Sequence, residues 1–276
     1  MPASGSKQAA EQRDFSWHAA FKAAGFGLAG VASLFALAWG YYCVRHLLLE
    51  DARFRLGMRE THAGPVPNVV IVGRRYAPES RILEVFALDV GRSIFAIPIE
   101  QRRRQLCEIP WVRDATVMRT LPTRLEVRIT ERSPVAFVLL EGPGGVHRPA
   151  LIDAEGVILE LPSGARFDLP VLVGVSEDEP QSTRMRRVQC MLRFLDEVRG
   201  LKCQISEVDL RHPQDVGAVL IVEGKLLRVQ LGDRHHRQRL ERFLRYLPEV
   251  LAHNPSATTF DLRLDDRITV QEVPSA

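Results

Sequence analysis

Two adjacent histidines, His235 and His236, are the residues in this chain that most directly invite chemistry. Imidazoles ligate transition metals, but neighbouring helix positions point about 100° apart and do not easily share one ion. Gly142-Pro143-Gly144-Gly145 is glycine-rich. It lacks the lysine and following helix of a phosphate cradle and reads as a turn. Asp265 and Asp266 put two carboxylates side by side in an apparent turn. Arg102, Arg103 and Arg104 form a run of guanidinium groups, the usual pattern of a solvated helix face; contact with anionic lipid or a partner is the competing use. Cys43, Cys107, Cys190 and Cys203 show neither zinc spacing nor a disulfide framework. Cys190 and Cys203 are the pair an oxidising compartment would join, while buried free thiols are the simpler reading. No H-E-x-x-H, G-x-S-x-G, Walker A or C-x-x-C pattern occurs. The expectation is a protein that is not an enzyme, with no catalytic residues, no cofactor, no metal and no small-molecule substrate.

With no catalytic set to position, the elements themselves carry the information. Ala23 to Val44 contains no charged side chain. As a helix it would be about 33 Å long, enough for a bilayer core of about 30 Å. Lys22 and Arg45 bracket it, and Trp39, Tyr41 and Tyr42 gather at its end, where amphipathic rings favour a membrane interface. Ala36-Leu37-Ala38 would suit a signal-peptide cleavage site, but cleaved apolar regions run to about 7–15 residues, shorter than this one. An uncleaved anchor is the expectation. Tyr41 and Tyr42 are too bulky for a lipobox, so Cys43 reads as a plain apolar residue. Basic residues flank both ends, Lys7, Arg13 and Lys22 before and Arg45, Arg53, Arg55 and Arg59 after. Charge alone therefore does not orient the helix, although long domains translocate largely regardless of it. A formal net charge of +3 is too small to imply nucleic-acid binding.

The body is patterned as α+β. A membrane-proximal connector covers 45–65, closed by Gly64-Pro65-Val66-Pro67. Val69 to Val72 reads as a strand, Pro78-Glu79-Ser80 starts a helix, and Pro98 opens a second helix. Ile99 and Leu106 are expected to face inward there, and the arginine run outward. Strands follow at Asp114 to Arg119 and Arg124 to Glu131, the second alternating Leu125, Val127 and Ile129 against polar residues. The order is β-α-α-β-β. Trp111 is expected to pack on Leu106 and Val127. Further on, strands or hairpins are expected at 136–140, 151–158 and 216–231. Helices are expected at 184–199, with an apolar stripe of Met185, Val188, Leu192 and Leu195, and at 235–251. Final strands are expected at 259–264 and 267–271.

The β-α-α-β-β order resembles a POTRA domain. The stretches VIVGRRYAPES, GRSIF and CEIPWVRDATVMRTLPTRLEVRITERSPVAFV resemble the FtsQ/DivIB family of bacterial cell-division proteins. The matching motifs are Gly73 after the first strand, Pro110-Trp111-Val112 and Pro122 to Leu125. Glu131-Arg132 with Pro134 follows, then a D-x-x-G hairpin at Asp153 to Gly156 and an L-P-x-L segment at Leu169 to Leu172. The resemblance implies a cytoplasmic tail at 1–22, a transmembrane helix at 23–44, a POTRA domain at 66–134 and a mixed β domain with two helices at 135–276. It implies an inner-membrane protein whose C-terminal domains are periplasmic and which is enriched at the division septum. It also implies a scaffold between early and late division proteins, with FtsB and FtsL as partners. In that family a C-terminal strand edge pairs with FtsB, which maps here to Asp261, Leu262, Arg263, Leu264, Ile268, Thr269 and Val270. Two other readings compete. A secretion or outer-membrane-assembly POTRA protein should show stacked repeats or a barrel, and neither pattern is present. An anchored enzyme would need ionisable residues converging in a pocket.

Overall fold

The structure is a computed structural model that describes residues 17–61, 64–142, 145–212 and 214–271. Residues 1–16 of the expected tail, and Pro143 and Gly144 of the glycine-rich turn, lie outside the described residues. The chain divides into two compact units.

The first unit comprises residues 1–68, 89–97 and 119–125. Helix α1, Trp17–Glu50, runs six residues past the uncharged stretch (50 − 44 = 6), because neither Arg45 nor His46 interrupts helical geometry. Leu28–Glu50 within it is long and apolar enough to cross a bilayer, with a mean hydropathy of 1.3. Beyond α1, the Asp51 carboxylate accepts from the Arg53 backbone N–H at 2.8 Å and caps a short turn. The chain is then stitched to residues 91–94. Ile94 N–H donates to the Phe54 carbonyl at 2.8 Å, Leu56 N–H to Arg92 at 2.8 Å, and Gly91 N–H to Leu56 at 2.9 Å. The Ser93 hydroxyl reaches the Leu48 carbonyl inside α1 at 2.6 Å. Strands β1, Met58–Thr61, and β2, Gly64–Pro67, form an antiparallel ribbon in which β1 is exposed and β2 ends on buried Pro67.

The second unit comprises residues 69–88, 98–118 and 126–276. It opens with strand β3, Val69–Val72, and helices α2, Glu79–Glu84, and α3, Ile99–Cys107. Strands β4, Val112–Thr120, and β5, Arg124–Glu131, lie mainly in this unit, and the sheet order is β3-β5-β4. The β5 alternation holds: Leu125, Val127 and Ile129 are buried while Arg124, Arg128 and Thr130 are exposed. Gly73 has a φ of +86°, and a Cβ there would run into the Ile129 carbonyl oxygen, so the glycine is required twice over. The arginine run does not behave as one solvated face. Arg102 is buried and donates to Gln105 Oε1 at 2.7 Å, while Arg103 pairs with Asp114 at 3.0 Å and Arg104 is exposed. Arg102 lies one helical turn before buried Leu106 and shares its inward face.

The rest of the unit builds one nine-stranded sheet. Its strands are β6 (Pro134–Glu141), β7 (His147–Asp153), β8 (Ile158–Leu159), β9 (Val171–Val173), β10 (Gln204–Asp209), β11 (Val216–Val222), β12 (Lys225–Gly232), β13 (Thr259–Asp261) and β14 (Thr269–Gln271). The spatial order is β14-β13-β12-β11-β10-β9-β6-β7-β8. Helix α4, Gln181–Glu197, crosses from β9 to β10, and α5, His236–His253, from β12 to β13; both crossovers join parallel strands. α4 starts three residues before the expected Arg184 (184 − 181 = 3), directly after Pro180. Its most buried side chains are Val188, Met191 and Phe194, with Leu192 and Leu195 half-buried, so the stripe is rotated from the expected one. The last two strands are shorter than expected. The Asp261 carboxylate accepts from the Arg263 backbone N–H at 2.9 Å, an Asx-type turn that bends the chain out of the sheet. Leu262, Arg263, Leu264 and Ile268 therefore lie outside the strands.

The POTRA-like body is tied to the large sheet within this unit. Trp111 is buried, as its apolar bulk demands, and its indole N–H donates to the Glu160 carbonyl at 3.0 Å. Tyr76 packs on Trp111 at 5.1 Å and on Phe167 at 5.4 Å between ring centroids. Arg132 bridges Asp153 at 2.8 Å and Glu155 at 2.6 Å, and Arg113 also reaches Glu155 at 3.0 Å. The Glu131 carboxylate accepts three backbone N–H groups, from Arg75, Tyr76 and Ala77. Trp111 of the P-W-V segment and Arg132 of the E-R-x-P segment thus make the junction, while Glu131 braces the turn that carries Tyr76.

Candidate partner-binding edge

The C-terminal end of the sheet is built from two similar units. β9-α4-β10 ends in Asp209-Leu210-Arg211, and β12-α5-β13 ends in Asp261-Leu262-Arg263. In both, the aspartate clamps the arginine two residues on. Asp209 Oδ1 accepts from the Arg211 backbone N–H at 3.0 Å, and Asp261 Oδ1 from Arg263 at 2.9 Å. In both, the leucine N–H returns to the leading strand: Leu210 to Val173 at 3.0 Å, Leu262 to Gln230 at 2.8 Å. Each unit then adds an antiparallel strand, β11 beside β10 and β14 beside β13. β11 is flanked on its other side by β12. β14 is the end of the sheet, and among the described residues nothing pairs with its outer edge.

Phe260 packs on Phe243 of α5 with tilted rings 4.9 Å apart between centroids, so this side of β13 faces the helix layer. Val270 is directly opposite Phe260 and shares that face. With Ile268, Tyr246 and Val250 it lines a groove of about 590 Å³ between α5 and β14. The turn from β13 to β14 is pinned from α5. Arg239, itself buried, holds Asp265 at 2.9 Å and also bonds the Leu231 carbonyl. Arg242 donates to the carbonyls of Leu264, at 2.9 Å, and Asp265. The hydrogen bond from Arg263 holds the Asp261 carboxyl below the usual carboxylate range against the opposing pull of burial. The hydrogen bond from Arg239 does the same for Asp265.

The edge residues expected from sequence separate into two groups. Ile268, Thr269 and Val270 lie at or beside the free edge, and Leu264 is exposed in the turn before it. Asp261 and Leu262 do not present an edge: β13 is paired on both sides, and Leu262 is fully buried. They and Arg263 shape the turn that delivers β14. Sequence reasoning missed Arg239 and Arg242, which look like ordinary polar-face residues of α5. It also missed the repeated D-L-R, which a search for internal repeats would have found.

The residues that first suggested chemistry are otherwise engaged. His235 sits before α5 at a φ of +56°, and His236 bonds Glu197 at 2.9 Å, so the pair is split by the helix start. Among the described residues no three His, Cys, Asp or Glu side chains converge as a metal site. Cys190 and Cys203 are both free thiols, and burial pushes the Cys203 thiol up.

Residues 64–132 match the FtsQ-type POTRA domain, and residues 144–263 match the C-terminal domain of cell division protein FtsQ/DivIB. The chain belongs to the FtsQ/DivIB family of cell-division proteins. The cell division protein FtsQ of Koribacter versatilis is 33% identical over 207 residues, which cover 73% of this chain and 58% of that protein. The FtsQ proteins of Geotalea daltonii and Myxococcus fulvus are 25% and 26% identical, over 70% and 84% of this chain and 70% and 76% of their own lengths. The single apolar N-terminal helix among the described residues fits a membrane anchor for such a protein. The C-terminal match ends at Arg263, so β14 lies beyond it.

Proposed function

We propose that this chain is a non-enzymatic, membrane-anchored division scaffold that takes up a strand of a partner along the outer edge of β14. The observation that carries the proposal is the open end of the nine-stranded sheet, flanked by a groove of mixed lining in which Tyr246, Val250, Ile268 and Val270 are the apolar part. Strand addition draws affinity from main-chain hydrogen bonds and selectivity from alternate side-chain pockets. The internal repeat supports a polarity. β12 closes the first unit by running antiparallel to β11, so an added strand closing the second would run antiparallel to β14. Ile268, Thr269 and Val270 would form the contact, with Leu264 beside it and Asp261, Leu262 and Arg263 holding the turn.

By family resemblance the partner strand belongs to FtsB, with FtsL in the same assembly. The same reading puts residues 1–22 in the cytoplasm, the span at 23–44, the connector at 45–65, and the domains at 66–134 and 135–276 in the periplasm at the septum. Titration of the full chain in nanodiscs with an FtsB peptide tests the edge. Arg228 N–H bonds Thr258 and Leu262 N–H bonds Gln230, so Phe260 faces β12 and Asp261 faces β14. Thr269, opposite Asp261, therefore bonds inward, and Val270 carries the outward N–H. Proline removes that donor and fixes φ, so Val270→Pro should weaken binding far more than Val270→Ala, with both variants shown to be folded by circular dichroism. A folded Val270→Pro protein that binds like the parent rules this edge out.

A further inference from the structure

The outward side of α4 carries a groove that the strand edge does not use. It encloses about 380 Å³, and its lining includes Arg186, Arg187 and Arg193 but no carboxylate. Arg187 is already engaged, holding Glu179 at 2.8 Å and the Gly174 carbonyl. Arg184 is tied to the carbonyls of Gly156, Glu177 and Glu179. Arg186 and Arg193 differ. Both are exposed, and Arg186 donates only to the Thr183 hydroxyl, at 3.3 Å. Among the described residues neither forms an ion pair. They lie two helical turns apart, about 10 Å along the axis. Between them on the same face is half-buried Cys190, with Leu210 fully buried beneath it. The surface therefore presents a cation, a half-buried thiol and a second cation at helical spacing.

We propose that this groove docks an amphipathic helix of a protein partner, one with acidic residues two turns apart and an aliphatic residue between them. The uncompensated guanidinium groups favour an anionic occupant. Cys190 behaves as a small hydrophobe between the cations and favours a side chain over a phosphate or lipid headgroup, which would leave it unmatched. A strand fits less well, because its same-face residues recur at about 7 and 13 Å and miss the spacing of about 10 Å. The site is separate from the β14 edge, so it stands or falls independently of strand uptake.

Fluorescence anisotropy with the full chain in neutral-lipid nanodiscs tests this. The probe is a labelled designed helix with Glu at two positions seven apart and Leu four after the first. Saturable binding that weakens with added salt is expected. Arg186→Glu and Arg193→Glu, both exposed and expected to melt like the parent, should each weaken binding at least about tenfold. Replacing both probe glutamates by Gln should do the same, a readout that needs no altered protein. Arg245→Glu, on the exposed side of α5, should leave binding unchanged. No saturable binding, equal binding of the Gln probe, or an equal loss with Arg245→Glu overturns the proposal.

Discussion

The two β-α-β-β units at the C-terminal end, β9-α4-β10-β11 and β12-α5-β13-β14, use the same local devices and finish differently. Each has a parallel strand pair, a crossover helix and an aspartate that clamps an arginine two residues on. In the first unit β10 and β11 have six and seven residues and sit inside the sheet. In the second, β13 and β14 have three each and end it. A strand whose two edges are paired gains ladder bonds on both sides. A terminal strand gains them on one, and a short terminal strand limits unwanted pairing. The same motif thus makes an interior in one place and a docking edge in the other, depending on whether the chain supplies the next strand.

The largest effect should come from the side chain that seats the second unit. Phe260 is fully buried against Phe243. Phe260→Ala should cost about 3–5 kcal/mol in denaturant unfolding. It should also abolish strand uptake, since β14 is held to the sheet through β13. A variant that unfolds like the parent would show that the second unit is not part of the cooperative core, and the likeness of the units would end there.

A smaller difference should separate two glycines. Gly174 follows β9 and Gly232 ends β12, with φ of +95° and +80°. A Cβ at Gly174 would lie 2.5 Å from the Arg211 backbone nitrogen, whereas one at Gly232 would meet side-chain atoms, Arg239 Nη1 at 2.9 Å and Arg263 Cγ at 3.3 Å. Left-handed strain of about 1–3 kcal/mol applies to both alanine variants. Gly174→Ala should cost more in thermal melting, because backbone yields less than a side chain. Equal losses would mean that the arginine turns are equally free to move.

The smallest effect concerns acid. The Arg263 hydrogen bond lowers the Asp261 carboxyl; in Asp209 burial pushes the other way, and the Arg211 hydrogen bonds prevail. A carboxyl lowered by folding stabilises the fold at neutral pH. That stability is lost as pH falls from the ordinary aspartate value, about 4, through the lowered folded value. Asp261→Asn and Asp209→Asn should each flatten the acid limb of the stability–pH curve below about pH 4. An unchanged limb in both would assign acid sensitivity to other carboxylates.

Much of the fold was legible because period and burial agree. The β5 alternation at Leu125, Val127 and Ile129 and the apolar run within α1 were both read from spacing alone. Arg102 escapes a reading from spacing because a charged residue on an amphipathic helix usually faces water, and only tertiary packing turns it inward. The ends of β13 and β14 were misjudged because apolar alternation continues through Leu262 and Leu264. The Asp261 clamp, a side-chain bond that periodicity does not register, ends β13 first. The candidate edge was only partly legible: spacing suggested the segment, but which residues are interior depends on partners distant in sequence.

The ties around Trp111 and Arg132 have a mechanical consequence. Neighbouring domains joined by a plain linker pivot freely, and a load on one is dissipated before it reaches the other. Here an indole hydrogen bond, a tilted ring contact and a forked ion pair span the same joint side by side. Springs in parallel add their stiffness. A pull delivered at the far end of the sheet would arrive at α2 and α3 as displacement rather than as slack.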